Sequence, residues 1–256
     1  MLVIHSRAHG VLVDRQDQAM LKANEQRLVD VAEGIARSLP AGEIHTVAAA
    51  TMDVNGDTHT GVNVFHFTGG PCAELVAIGA AAGAGAEPLI TIVAVGDGER
   101  GVIAPCGRCR QVLLDLHPDV YAIVPEDGEL RSRPIRDLLP SSYHREDTTD
   151  RRRVVYFHPR HFDSIVAGRK TATVRFRDPL QVGPAVFVFD DGHTVRRLDG
   201  EVKRVNTRKV ATLTDDDAHR EDFEDRDLLL AALSDHYPHL EDNDVVDVVI
   251  FQIVKP

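Results

Sequence analysis

All three cysteines of this 256-residue chain fall in the first turns of two predicted helices. Cys72 follows the break Gly69-Gly70-Pro71 and opens an Ala-rich apolar stretch to Gly85. Cys106 and Cys109 follow Pro105 and open a second stretch to Leu116. An odd cysteine count, made of one Cys-x-x-Cys pair and one distant partner, fits a metal site in a reducing compartment better than a disulfide framework. A redox dithiol is the alternative reading of the pair alone. Unpaired N–H groups and the positive end of the helix dipole favour thiolate at such positions. The fold must therefore bring two helix N-termini together.

The surrounding pattern supplies a scaffold for that. Apolar residues recur at helical spacing from Gln16 to Leu39 and stop at Pro40-Ala41-Gly42. His45 to Met52 and Thr58 to Phe65 read as strands joined at Asn55-Gly56, a hairpin signal. Ile90 to Val95 and Val120 to Val124 read as buried strands, with a loop from Gly96 to Gly101. Strand and helix alternate, which predicts a three-layer α/β/α domain with the cysteine segments at helix starts.

From Leu139 to Arg153 the chain is polar and nearly free of aliphatic residues. The expected organisation is a first domain over 1–143, a linker over 144–153 and a second domain over 154–256. In the second, Val154 to Phe157, Ala185 to Phe189, Glu201 to Val205 and Val245 to Val254 read as strands. His161 to Ala167 and Asp227 to His236 read as short helices. Many strands and few helices suggest a small β-barrel.

Net charge is −11, which argues against the whole molecule being a polyanion-binding surface. No apolar stretch reaches the length of a membrane span. The N-terminal residues turn polar without a cleavage site, so a cytoplasmic location is expected.

Three protein ligands and an open fourth position for water are typical of catalytic zinc, and Cys72, Cys106 and Cys109 supply that number. Arg108, between two of them, is a counter-charge for the anionic cluster. Glu74 lies two residues after Cys72, where its carboxylate can reach a metal-bound water without being a ligand. Singly, such a cysteine is often a core residue and such a glutamate a partner of the helix dipole. Together they form the constellation of zinc deaminases, in which the glutamate serves as general acid and base.

The stretches Gly61 to Leu75 and Pro105 to Pro118 resemble the cytidine deaminase superfamily, and within it the blasticidin S deaminases. The resemblance covers roughly Leu21 to Tyr143. It implies the three-layer fold, zinc-dependent hydrolysis of a cytosine nucleoside's exocyclic amine, and a homo-oligomer, tetramer or dimer. Thr46, Asn63, Phe65 and Arg108 are the substrate-binding candidates. Ordinary cytidine deaminases carry Asn-x-Glu-Asn where this chain has Asn63-Val64-Phe65-His66, so the ribose-holding glutamate is missing. The blasticidin S branch has Tyr at the place of Phe65 and Trp near the place of Arg145, whereas this chain has no Trp.

Phe162 to Arg175, with Val182-Gly183, Ala218 to Phe223 and Asp235 to Pro238, resembles an ASCH domain, which implies a PUA-like β-barrel over about Val154 to Val254. That family includes RNA-binding candidates and amidohydrolases that remove the acetyl group of N4-acetylcytidine. Lys170, Thr173 and Glu221 fall at the places of the amidohydrolase Lys, Thr and Glu. Thr173 could be a nucleophile deprotonated by Lys170, with Glu221 assisting. Two expectations follow for the second domain: deacylation at N4, or delivery of RNA or a nucleotide through the basic stretch Arg196 to Lys209.

Overall fold

The computed structural model describes residues 20–86, 88–143 and 152–254. The N-terminal residues before Met20, Arg145 and most of the expected linker lie outside them.

Helix α1 (Ala23–Ser38) starts later than the apolar spacing suggested, because the Lys22 N–H is capped by Glu25 Oε2 at 3.0 Å. Strands β1 (Val47–Asp53) and β2 (Thr58–Val62) form the expected hairpin, with Gly56 at φ +86 in the turn. β2 stops three residues short of Phe65. Asn63 ends it by turning its Oδ1 to accept the N–H groups of Thr46 (2.7 Å) and Val47 (2.8 Å). Then come α2 (Ala73–Gly83), β3 (Leu89–Gly96), β4 (Gly101–Ile103), α3 (Gly107–Leu116), β5 (Tyr121–Glu126) and β6 (Glu129–Pro134). β4 and β6 were not expected; both are polar or short.

These strands form one sheet in the order β2-β1-β3-β5-β6, with β4 also paired to β3. β3 and β5 run parallel, while the other pairs are antiparallel. Alternate residues face opposite layers. Ala48 and Ala50 of β1, with Val93 and Val95 of β3, pack on Leu28, Val29 and Ala32 of α1. Ala49 and Ala94 pack on Ala73 and Ala77 of α2, and Ile92 and Ala122 on Leu113 of α3. The result is the expected α/β/α sandwich.

The second half adds β7 (Arg153–Phe157), α4 (Phe162–Val166), β8 (Ala172–Arg175), β9 (Gly183–Asp190), β10 (Val195–Lys209), α5 (Asp215–Arg220), α6 (Arg226–His236) and β11 (Val245–Ile253). Its sheet runs β7-β9-β10-β11-β8 and curls into a half-barrel. β10 is longer than expected because its polar, half-exposed residues carry little strand signal. α5 was not anticipated; Thr214 caps it by accepting the Asp217 N–H at 3.3 Å.

The two halves share a core. Ala185, Phe187 and Phe189 of β9 face the inside of the half-barrel, while Val186 and Val188 join Val154 against the α1 cluster of the first half. Polar bonds reinforce the seam. Asp119 accepts the Arg153 guanidinium at 2.8 and 2.7 Å and the Val154 N–H at 2.9 Å. Buried Asp190 accepts Lys22 Nζ at 3.0 Å and Asn24 Nδ2 at 2.8 Å. Among the described residues no helix is long and apolar enough to cross a membrane.

Helix α2 lies so close to β2 that a Cβ on Gly61 would meet backbone: Ala77 N at 2.3 Å and Ala73 O at 2.7 Å. Neither atom can give way without moving the helix. Gly61→Ala is expected to cost about 3 kcal/mol, the upper range for overpacking, read as a shifted denaturant midpoint at unchanged slope.

Candidate active sites

Cys72 and Cys106 occupy the N-cap positions of α2 and α3, and Cys109 lies one turn into α3, fully buried. The Sγ atoms of Cys72 and Cys106 are 3.7 Å apart and those of Cys106 and Cys109 3.6 Å; all three lie within 4.8 Å of one another. Tetrahedral zinc at about 2.3 Å from each sulfur would set the S···S separations near 3.8 Å, so the donor set and its spacing fit that ion.

The thiols are unequal. Burial raises Cys72 and, far more, Cys109, which also faces the charge of Glu74. Cys106 is lowered: burial works against it, but the Cys109 N–H, the two neighbouring thiols and the Arg108 N–H outweigh burial. Glu74 is 5% exposed in the first turn of α2, close enough to bear on two of the sulfurs. Beside it, Pro105, Ala94 and Ile123 line a small void.

The remaining first-half candidates ring the exposed side. Arg108 donates to the Gly70 carbonyl at 3.3 Å. Gly70 is required there, since a Cβ would fall 1.6 Å from the Val64 carbonyl oxygen. Phe65 is 63% exposed and Phe67 89%. Asn63 and Thr46 meet through the backbone bond above and a longer Nδ2 to Oγ1 contact of 3.4 Å, so the Asn63 carbonyl oxygen is committed to the fold.

A second group gathers 51 positions apart in sequence. Lys170, Thr173 and Glu221 are buried and line one cavity of about 650 Å³. Glu221, at the C-cap of α5, accepts Lys170 Nζ with one carboxylate oxygen and the Val174 N–H with the other. Thr173 sits opposite Val249 on the β8–β11 ladder. Burial, followed by the nearby charge of Arg175, lowers the Lys170 ammonium to about 7, and burial with Lys170 and Arg160 lowers His161 to about 2. The cavity also takes in Tyr121, Arg136, His158 and His161, which sequence reasoning missed. They lie in separate segments that share no motif.

The basic stretch lies on β10, where it is interleaved with acid. Arg197 pairs with Asp199 at 3.1 Å, Arg208 with Asp217 at 3.1 Å, and Lys203 with Glu201. Arg196 stacks on Phe162 with 4.1 Å from guanidinium to ring centre.

No protein-family model matches the chain. Over 134 residues it is 31% identical to a blasticidin-S deaminase from Bacillus cereus, covering 49% of this chain and 96% of that protein. Over 109 residues it is 37% identical to a cytidine deaminase from Mycobacterium tuberculosis, covering 42% of this chain and 79% of that one. The chain belongs to the blasticidin-S and cytidine deaminase family. Among solved structures, a cytidine deaminase from Burkholderia pseudomallei matches 46% of this deaminase family member at 32% identity, with 98% of that chain covered and a TM-score of 0.40. An ASCH domain from Lactobacillus crispatus matches 39% of the chain at 18% identity, with 77% of that chain covered and a TM-score of 0.31.

The Lys170 ammonium is the site's measurable signature. A lysine-selective NMR titration is expected to give a midpoint near 7 instead of the ordinary 10.5. Between those values only the unfolded chain holds the proton, so this group's contribution makes the folded state more stable as pH rises from 7 toward 10.5.

Proposed function

We propose that the chain hydrolyses the exocyclic amine of a modified cytosine nucleoside at its cysteine site, giving the uracil form and ammonia. The observation that carries this is the meeting of three thiols and one buried carboxylate at two helix N-termini, in the half that matches the deaminases. Cys72, Cys106 and Cys109 hold zinc. Bound zinc supplies Lewis acidity that makes a water nucleophilic near neutral pH. Glu74 moves the protons, one to ring N3 and one to the leaving amine. Arg108 balances the charge of the thiolates. Phe65 offers the sugar a ring where a carboxylate would accept its hydroxyl, so unmodified cytidine loses a charged hydrogen bond. Asn63 shapes this rim by holding the Thr46 and Val47 backbone.

The same reading divides the chain into a deaminase domain over 1–143, a linker over 144–153 and an ASCH domain over 154–256; the first sheet lies wholly before the linker and the second starts at its last residue, Arg153. It also makes the protein a homo-oligomer, supported by the exposed Ile44, Val64, Phe65 and Phe67. In the second domain, Lys170, Thr173 and Glu221 remove an acyl group from N4 of a cytosine nucleoside. Lys170 takes the Thr173 hydroxyl proton, Thr173 attacks the acyl carbon, and Glu221 assists proton return to the departing N4. Water then releases the acid. The freed amine is the group that the first domain removes.

One zinc per chain is expected from elemental analysis. Glu74→Gln should keep that zinc and lose at least about a hundredfold in deamination rate, the usual share of general acid–base catalysis. Retained activity would remove Glu74 from the proton path. Given an N4-acylated cytosine nucleoside, Glu74→Gln should accumulate the deacylated cytosine product while Lys170→Ala leaves the substrate whole. A wild type that leaves the acyl group in place would end the deacylation reading.

A further inference from the structure

The cavity holding Lys170 is not a property of the second half alone. Asp119, Tyr121 and Arg136 of the first half form part of its wall, facing Tyr156, Arg175 and Tyr237 of the second. Their placement is fixed by the seam. Asp119 clamps Arg153 and the Val154 N–H with its carboxylate, and its carbonyl accepts the Tyr156 hydroxyl at 2.9 Å. Arg136 bonds Asp178 at 2.9 Å, and Asp178 accepts Arg175 at 3.0 Å. An ionic chain thus runs from the first half to β8, two residues beyond Thr173.

The lining points to a ligand class. Tyr121 and Tyr156 meet edge-to-face at 5.3 Å, and Phe176 and Tyr237 do so at 5.6 Å, giving ring faces suited to a planar base. Charges are mixed and balanced: five Lys and Arg side chains, Lys170, Arg136 and Arg175 among them, stand with five carboxylates. A polynucleotide needs an open electropositive groove that follows its phosphates. A cavity near 650 Å³ instead falls within the range of small-ligand sites, about 300–1,000 Å³.

Building on the reading that Lys170, Thr173 and Glu221 act on an acylated amine, we propose that the first half completes this site and limits it to single nucleosides, with Arg136 and Tyr121 as specificity-determining residues. Arg136 acts on the polar side of the ligand, at the end of the Asp178–Arg175 chain. Tyr121 bounds the slot for the base. Arg136, Arg175 and Lys170 are already paired with Asp178 and Glu221, which leaves them little attraction for a phosphate chain.

The test uses the full zinc-loaded chain, with N4-acetylcytidine and a short RNA oligonucleotide as the two probes, followed by calorimetry and by acetate release. Arg136→Ala should raise the Kd and KM for the nucleoside at least about tenfold, the loss of one charged hydrogen bond, with the deamination of the free amine at the cysteine site little changed. Tyr121→Leu, which removes the ring but keeps an apolar side chain of similar bulk, should raise the KM by a smaller factor, with folding checked by an unchanged circular dichroism spectrum. The oligonucleotide should not displace the nucleoside. Unchanged binding in both variants overturns the proposal, as does displacement by the oligonucleotide at comparable concentration or a failure of the nucleoside to bind. Binding that responds to Arg136→Ala without any acetate release overturns the deacylation reading and leaves the composite site standing.

Discussion

The seating of α2 against the backbone of β2 at Gly61 is the contact on which the first site depends. It sets where the first turn of α2 points, and so where Cys72 and Glu74 stand relative to the start of α3. An α-helix turns about 100° per residue. A slip of one position in either helix would carry its sulfur several ångströms from the others. The small residues along this layer, Ala49, Ala73, Ala77 and Ala94, allow the close packing that prevents such a slip.

A different economy holds the halves together. Asp119 and Asp190 are carboxylates with little access to water, and each is matched by a cation and by at least one further N–H donor from the other half or its own turn. Buried charges are tolerated only when paired in this way. Their pairing requires the halves in one relative position, because the guanidinium of Arg153 and the hydroxyl of Tyr156 both reach Asp119 from β7. The apolar contact between α1 and β9 supplies the attraction, and the carboxylates supply the register.

Much of this was legible in the chain itself. The β-branched runs at Ile90 and Val120 gave buried strands, and glycine or proline breaks before Cys72 and Cys106 gave both helix starts. The polar strands were opaque. β6, Glu-Leu-Arg-Ser-Arg-Pro, is polar and mostly half-buried, and the outer part of β10 is polar and largely exposed; neither shows apolar alternation, so only their partners make them strands. The stop at Asn63 was hidden as well, since it depends on two N–H groups sixteen and seventeen positions upstream. The cysteines announced a site because they share one chemistry. The wall of the second cavity draws on tyrosine, arginine and aspartate from six separate stretches, and only the folded chain brings them together.

The alternation along β9 has a consequence for modularity. One face of that strand belongs to the half-barrel and the other to the α1 cluster, so a single strand cannot serve two owners independently; it is the common wall of two rooms. In sequence the chain looks like two units that could be exchanged for others of their kind. In energy it is not, because any replacement for the second half would have to offer valines at the places of Val186 and Val188, an aspartate at 190 and an arginine at 153. What can be transplanted from this protein is the joined pair.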